Sequence, residues 1–290
     1  MKIAVICPFQ NERSQGYAQG VIEHLLERKV TVLVDANMVQ FLEDPDVASY
    51  VSVFESLPLD TDFLFCIGGD GSMLRAIITV KDSNVPILGI NTGRLGFLTS
   101  LQKESLNIGL KQLWENKYSI IKRSLLEVKL PETHQEIDSF PYALNEISVN
   151  RKNTASLISI DTRLDDQPLT TYWADGLIIS TPTGSTGYSL SSGGPIMSPQ
   201  TAGFVLTPIA PHNLNIRPLI ITNNTRIELE VTGRGEDHLL SLDSRIISVD
   251  QGTKILVKKA PFTVATVELH DNAFFKTLRD KLFWGLDTRN

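Results

Sequence analysis

The sequence predicts an α/β N-terminal domain on a parallel, Rossmann-like sheet, then an all-β C-terminal domain, then a C-terminal helix returning to the first domain. Three observations predict this. Over the first 120 residues, near-continuous apolar runs alternate with helical spacing, as in parallel strands covered on both faces. From residue 121 onward, short strand-like segments are separated by turn residues. Helical spacing returns only in the tail that starts at Asn272.

Each element follows from its residues. Residues 2–7 (Lys-Ile-Ala-Val-Ile-Cys) read as a buried strand, and Val21, Ile22, Leu25 and Leu26 fall at helical spacing within 15–28. Residues 30–34 and 61–67 read as further strands, the latter ending abruptly in Gly68-Gly69-Asp70-Gly71. A helix follows from Ser72, and then a strand over 85–90. In the second half, 122–130, 143–150, 156–164, 176–181, 218–222, 226–231, 239–249 and 254–258 read as strands. The expected division is 1–120, 121–265 and a tail, 266–290, that packs on the first domain.

Composition excludes several classes. The chain has 290 residues, 42% hydrophobic and 21% charged, with no low-complexity period, so widespread disorder is not expected. No run of about 18 apolar residues suggests a membrane span. The apolar stretch from Ile3 to Cys7 is too short for a secretory core, so a cytoplasmic location is expected. A net charge of −6 without a basic run argues against nucleic acid as a partner. It also means that a phosphate ligand needs local donors. Cys7 and Cys66 sit in apolar runs and read as core residues. The five histidines show no metal-ligand spacing, so no protein-built metal site is expected.

Four segments could carry chemistry. Gly68-Gly69-Asp70-Gly71-Ser72 joins a buried strand to a helix, where ligands of open α/β sheets bind. The helix start offers N–H groups to phosphate. A carboxylate placed there suits acceptance of a hydroxyl proton or a metal ion, although Asp70 could also simply cap the helix. Asn145-Glu146 could read a base edge or ribose hydroxyls; on a regular strand the two side chains would point to opposite faces. The stretch from Asp175-Gly176 through Ser180-Thr181-Pro182-Thr183-Gly184-Ser185-Thr186-Gly187-Tyr188-Ser189-Leu190-Ser191 to Gly193-Gly194-Pro195 would offer N–H groups, hydroxyls and an aromatic ring to a nucleotide. Gly93-Arg94-Leu95-Gly96-Phe97-Leu98 follows the strand over 85–90 and is expected near the Asp70 loop, with Arg94 and Arg75 as candidate phosphate partners.

Taken together and in this order, these motifs resemble the NAD kinase family, over roughly residues 60 to 290. Pro211-His212 and Arg217-Pro218 add to the likeness. The Gly-Gly-Asp-Gly loop alone is shared with diacylglycerol, sphingosine and phosphofructokinase-type kinases. The resemblance implies ATP-dependent phosphorylation of the 2′-hydroxyl of the adenosine ribose of NAD, with a divalent metal ion, usually Mg²⁺. It implies NAD and ATP as the bound partners, no membrane, and a homo-oligomer, dimer or tetramer. By position, Asp70 would be the general base. Gly71 and Arg75 would lie against NAD, and Asn145 and Glu146 would bind its ribose or base. Asp175 would bond ligand hydroxyl or amide groups; Thr186, Gly187, Tyr188, Ser189, Leu190 and Ser191 would line the pocket. Ser156, Ala210 and Arg245 fall where relatives contact NAD. Three positions depart from the family pattern. Trp173 stands where many relatives carry a basic residue, Ser156 replaces a histidine and Gly187 an alanine.

Overall fold

The computed structural model describes residues 1–9, 12–42, 45–93, 96–102, 105–152, 156–269 and 274–283. The chain divides into two compact units: residues 1–122 with 264–290, and residues 123–263. The α/β first part, β-rich second part and terminal helix are the fold class that the sequence predicts.

In the first unit the elements are β1 (Lys2–Ile6), α1 (Glu12–Glu27), β2 (Thr31–Asp35), a 3₁₀ turn (Ala36–Phe41), α2 (Pro45–Tyr50), β3 (Ser52–Phe54), β4 (Phe63–Ile67), α3 (Asp70–Val80), β5 (Ile87–Asn91), β6 (Leu101–Gln102) and α4 (Leu106–Trp114). Strands β5, β4, β1, β2 and β3 lie side by side in that order, all parallel. Thr266 supplies a further parallel neighbour opposite Ile87. Every residue of β4 and β5 is buried, which is why these strands read as unbroken apolar runs. Val21, Ile22 and Leu25 of α1 join Ile3, Val5 and Phe65 in one core. Cys7 and Cys66 are buried and unbridged, and burial pushes both thiols up from their ordinary range.

In the second unit the strands are β7 (Tyr118–Lys129, from Arg123 onward), β8 (Tyr142–Ala143), β9 (Glu146–Arg151), β10 (Ile158–Leu164), β11 (Gln167–Ala174), β12 (Gly176–Ser180), β13 (Gly203–Ile209), β14 (Leu219–Thr222), β15 (Ile227–Thr232), β16 (Asp237–Leu242), β17 (Arg245–Asp250) and β18 (Lys254–Leu269, up to Thr263). The short helices α5 (Gln135–Asp138) and α6 (Tyr188–Ser191) interrupt them. One antiparallel sheet runs β14-β13-β12-β9-β16-β17; β11, β10, β15 and β18 form another. Alternate residues of both, such as Ile147, Val149, Leu177 and Leu240 against Ile160, Leu229 and Val257, share one core, as in sheets packed face to face. The segment 239–249, expected as one strand, is a hairpin that turns at Asp243, whose φ is +52°. The strands β11 and β13 and the helix α4 are additions to the sequence reading.

Helix α7 (Phe274–Leu282) closes the described chain and belongs to the first unit. Its Phe274 N–H donates to Glu268 Oε1 at 3.1 Å, and its Phe274 and Lys281 meet the Phe97 ring. Asn272, at the predicted start of the helix, lies outside the described residues.

The second unit also buries polar side chains, His238 among them. His238 is buried, and neither ring nitrogen has a hydrogen-bond partner among the described residues. Burial pulls its pKa from 6.5 down to about 4, against the opposing pull of Asp237 and Asp250. The folded pKa lies below the unfolded one, so between those values the unfolded chain takes up a proton that the folded chain refuses. Stability therefore falls as pH falls. From about pH 7 to about pH 4.5, this one group is expected to cost about 2.5 kcal/mol. Urea unfolding of the wild-type chain and of His238→Leu at both pH values measures it. Equal losses in the two chains contradict the assignment.

Candidate active site

In the first unit the strand order reverses at β1, which lies between β2 and β4. Ligands of such sheets bind beyond the carboxyl ends of the strands at that reversal. The chain leaving β4 there is Gly68-Gly69, and α3 begins at Asp70. Asp70 is the first residue of α3, after the N-cap Gly69, and its carboxylate bonds outside its own helix. It accepts the Phe97 N–H on Oδ2 at 2.8 Å and the Leu98 N–H on Oδ1 at 3.0 Å. The two glycine-rich loops thus meet, as expected from their places on adjacent strands. Gly96 makes the approach possible: a Cβ on it would stand 1.7 Å from Asp70 Oδ1. The loop is shaped by Asn91, whose Nδ2 donates to Thr99 Oγ1 at 3.0 Å and whose Oδ1 accepts the Gly93 N–H. Arg94 lies outside the described residues. An ionised carboxylate offers about four lone-pair directions, so two N–H bonds orient Asp70 and leave it able to accept a proton.

Gly71 and Arg75 extend this site. Gly71 is exposed in the first turn of α3. Arg75, also exposed, lies over the Phe9 ring at 6.0 Å. It lines a cavity of about 260 Å³ with Cys7, Pro8, Asp35, Asn37 and Thr79, at the ends of β1 and β2.

In the second unit the structure gathers Asn145, Glu146 and the 180–191 loop. Asn145 precedes β9 rather than standing in it. Freed from the strand's alternation, its side chain converges with that of Glu146 instead of pointing to the opposite face. A Cβ on Gly187 would lie 3.4 Å from Glu146 Oε2 and 3.9 Å from Asn145 Nδ2. Asn145 Oδ1 and Glu146 Oε2 are buried without a hydrogen-bond partner among the described residues. Desolvation, then the charge of Asp243, pushes the Glu146 carboxyl up to about 8, while the Tyr188 N–H pulls it down. Glu146 is therefore neutral at pH 7.

The hydroxyls of the Gly/Ser/Thr loop are not an open surface for a ligand; they fold the loop. Thr181 Oγ1 donates to the Leu144 carbonyl and accepts the Gly184 N–H. Ser185 Oγ accepts the Met197 N–H. Ser189 Oγ bonds Thr207 Oγ1 at 2.8 Å, Thr186 Oγ1 donates to Thr183 O, and Ser191 Oγ donates to Tyr188 O. Arg123, a buried residue that sequence reasoning missed, donates to Thr183 Oγ1. Gly187, Tyr188 and Ser191 are exposed, and Thr186 and Leu190 are half-buried.

The remaining candidates divide. Asp175 and Ala210 are brought together, because the Asp175 N–H donates to the Ile209 carbonyl at 2.9 Å. Ala210 is exposed with φ +44°, a conformation that costs a non-glycine residue. Asp175 is paired through Oδ1 with Arg151 Nε at 2.8 Å, a partner that no motif had marked. Exposed Trp173 beside it faces the His212 ring. Ser156 precedes β10, whose first residue, Ile158, is paired with Ala174 beside Asp175. The Arg245 guanidinium donates to the Phe140 and Tyr142 carbonyls and covers the Phe140 ring, which makes it part of the frame. Among the described residues no three His, Cys, Asp or Glu side chains gather as a metal cage, and no helix is long and apolar enough to cross a membrane.

Two glycines of the loop make a contrasting test. A Cβ on Gly184 would meet the Asn145 backbone, its carbonyl oxygen at 2.1 Å, whereas one on Gly187 would touch nothing closer than 3.3 Å. Gly184→Ala is expected to cost about 1–3 kcal/mol of stability through overpacking, and Gly187→Ala less than about 0.5 kcal/mol. Denaturant unfolding of both variants checks it; equal effects would sink the packing argument.

Comparison with known proteins identifies the family. Residues 3–118 match the ATP-NAD kinase N-terminal domain, and residues 144–269 match the ATP-NAD kinase C-terminal domain. The chain is 48% identical to the NAD kinase of Christiangramia forsetii and 47% to that of Flavobacterium psychrophilum, each over the whole of both chains. Among solved structures it resembles yeast NADH kinase complexed with NADH, with a TM-score of 0.85 and 25% identity, over 100% of this chain and 89% of that one. It also resembles an NAD kinase from Archaeoglobus fulgidus in complex with ATP, with a TM-score of 0.75 and 27% identity, over 98% of this chain and 99% of that one. With full-length identity near one half and both halves matched in order, the chain belongs to the ATP-NAD kinase family.

Proposed function

We propose that this chain transfers the γ-phosphoryl group of ATP to the 2′-hydroxyl of the adenosine ribose of NAD, forming NADP and ADP. The observation that carries the reading is the pair of unpartnered polar atoms, Asn145 Oδ1 and Glu146 Oε2. Leaving such groups unsatisfied is costly, and the hydroxyls and amide of a dinucleotide are the donors and acceptors that would complete them. Tyr188, exposed beside them, offers a face for a ring to pack on. Asp175 bonds a ligand hydroxyl or amide, and the Gly187–Ser191 backbone lines the pocket. Ser156 and Ala210 are outlying contacts, and Arg245 contributes through the frame it holds.

Asp70 is the general base. The ribose hydroxyl oxygen bonds to the γ-phosphorus, the bridging oxygen leaves with ADP, and the Asp70 carboxylate receives the hydroxyl proton. The N–H groups of Phe97 and Leu98 keep that carboxylate in one orientation, which is the protein's main task in a reaction that depends on positioning. Gly71 lets the backbone approach, and Arg75 offsets phosphate charge. Among the described residues no carboxylate cluster would cage a divalent cation, so such an ion would be carried in on the phosphate oxygens of ATP. When bound it would neutralise phosphate charge. A cytoplasmic location and a dimer or tetramer complete the reading.

A coupled assay tests it: purified chain, NAD, ATP and Mg²⁺, with an NADP-specific dehydrogenase reporting product. NADP is expected, and Asp70→Asn is expected to lower kcat by about two to four orders of magnitude. No NADP, with polyphosphate and NADH also tried, rejects the reaction. A near-normal rate in Asp70→Asn removes Asp70 from its role.

A further inference from the structure

The hairpin between β16 and β17 carries a carboxylate that the proposed reaction does not use. Asp243 Oδ2 accepts the Leu144 N–H at 2.9 Å, and Oδ1 accepts the N–H groups of Asn145 at 2.8 Å and Glu146 at 3.1 Å. In return, the Asp243 N–H donates to the Glu146 carbonyl at 3.0 Å. Three consecutive N–H groups thus end on one side chain about a hundred positions later in the chain. The φ of +52° at Asp243 folds the hairpin so that its carboxylate meets them.

We propose that Asp243 is a positioning residue for the Asn145–Glu146 pair: its carboxylate sets the backbone of that segment and the charge that the Glu146 side chain meets. Among the described residues, every hydrogen bond to the Asp243 carboxylate comes from an N–H donor, so Asp243 holds the negative charge and the proton of the two carboxyls stays on Glu146. The groups facing Glu146 are few. Asp243 approaches from the β16–β17 hairpin, with the Arg245 guanidinium partly offsetting its charge. From α6 comes the Tyr188 N–H. Desolvation and the Asp243 charge together outweigh that N–H, consistent with a carboxyl that titrates near 8. Below that pH, Glu146 is a neutral acid that both donates and accepts a hydrogen bond. Such a group can bind hydroxyls without adding a negative charge beside a diphosphate. Above it, the ionised side chain would meet an anionic ligand.

The inference rests on the reading of Asn145 and Glu146 as dinucleotide ligands, but its first test needs no substrate. Carbon-13 NMR of the glutamate side-chain carboxyls, with Glu146 assigned by its loss in Glu146→Gln, follows the titration directly. The midpoint is expected near 8 in the wild-type chain. In Asp243→Asn it is expected at least about one unit lower, because the amide keeps an oxygen for the Asn145 and Glu146 N–H groups but loses the charge. If Asp243→Asn does not fold, Arg245→Gln removes the offsetting charge and should move the midpoint up. A midpoint that stays in the folded variant overturns the proposal. The second arm is the KM for NAD between about pH 6 and about pH 9, followed with kcat. KM is expected to rise above the carboxyl midpoint while kcat changes little, and the rise should begin about one unit lower in Asp243→Asn. A carboxyl midpoint that moves without KM following it also overturns the positioning role, while NADP formation leaves the reaction standing. A midpoint that moves as expected in a chain that makes no NADP supports the Asp243–Glu146 link and rejects only the reaction.

Discussion

The N–H groups of Leu144, Asn145 and Glu146 would, in a regular strand, alternate between neighbours on either side. Here all three turn toward Asp243, so the chain entering β9 cannot keep strand geometry. That one departure has wide consequences. It frees Asn145 from alternation and lets its side chain share a site with Glu146. It exposes the Asn145 carbonyl to the Thr181 N–H, which anchors the end of β12. It also leaves only enough space above Asn145 for a residue without a side chain, Gly184. The polar centre of the second unit is thus built outward from a single carboxylate and the hydrogen bonds it collects.

The first unit uses a related device for a different end. Asp70 also takes N–H groups from two consecutive residues, Phe97 and Leu98, of a loop elsewhere in the chain. There too a glycine, Gly96, makes room for the carboxylate. The difference lies in surroundings. Asp243 is pressed among donors and desolvated, and its carboxyl is pushed up from the usual range mainly by that desolvation. Asp70 sits half-buried at a helix start beyond the carboxyl end of the sheet, where a ligand can reach it. One carboxylate is closed in on its own chain, and the other stays partly open to solvent.

Much of this was legible in the sequence, and the parts that were not have physical reasons. The strands β1, β4 and β5 announce themselves because both faces are buried and every position but Lys2 and Asn91 is apolar. The edge strand β11 hides because most of its residues face outward and carry no alternation, and its Pro168 is tolerated only at an edge. Strand β13 hides behind Pro208; β14 pairs only as far as Leu206, so no neighbour on that side asks Pro208 for an N–H. The chemical loops could be read from their glycines and their order. Arg151 and Arg123 could not, since a lone arginine in a strand looks the same whether it faces water or a carboxylate. Asp243 was lost for a sharper reason. Its turn is Asp-Ser rather than Asn-Gly, and apolar residues run on both sides, so the hairpin reads as one strand.

An acidic chain that handles phosphates faces a charge problem, since its net −6 repels the ligands it would bind. Adding cations is one remedy, the one proposed for Arg75 at the end of the first sheet. Removing anions is another, and it is more selective. A glutamate kept neutral retains its hydrogen-bonding oxygens but contributes no repulsion. Keeping it neutral requires both a dry setting and a nearby charge that does not itself take the proton. Asp243 meets the second condition because N–H groups occupy its oxygens, and the packing of the 180–187 loop against Asn145 meets the first. The backbone contacts that shape the segment are therefore the same ones that set its charge.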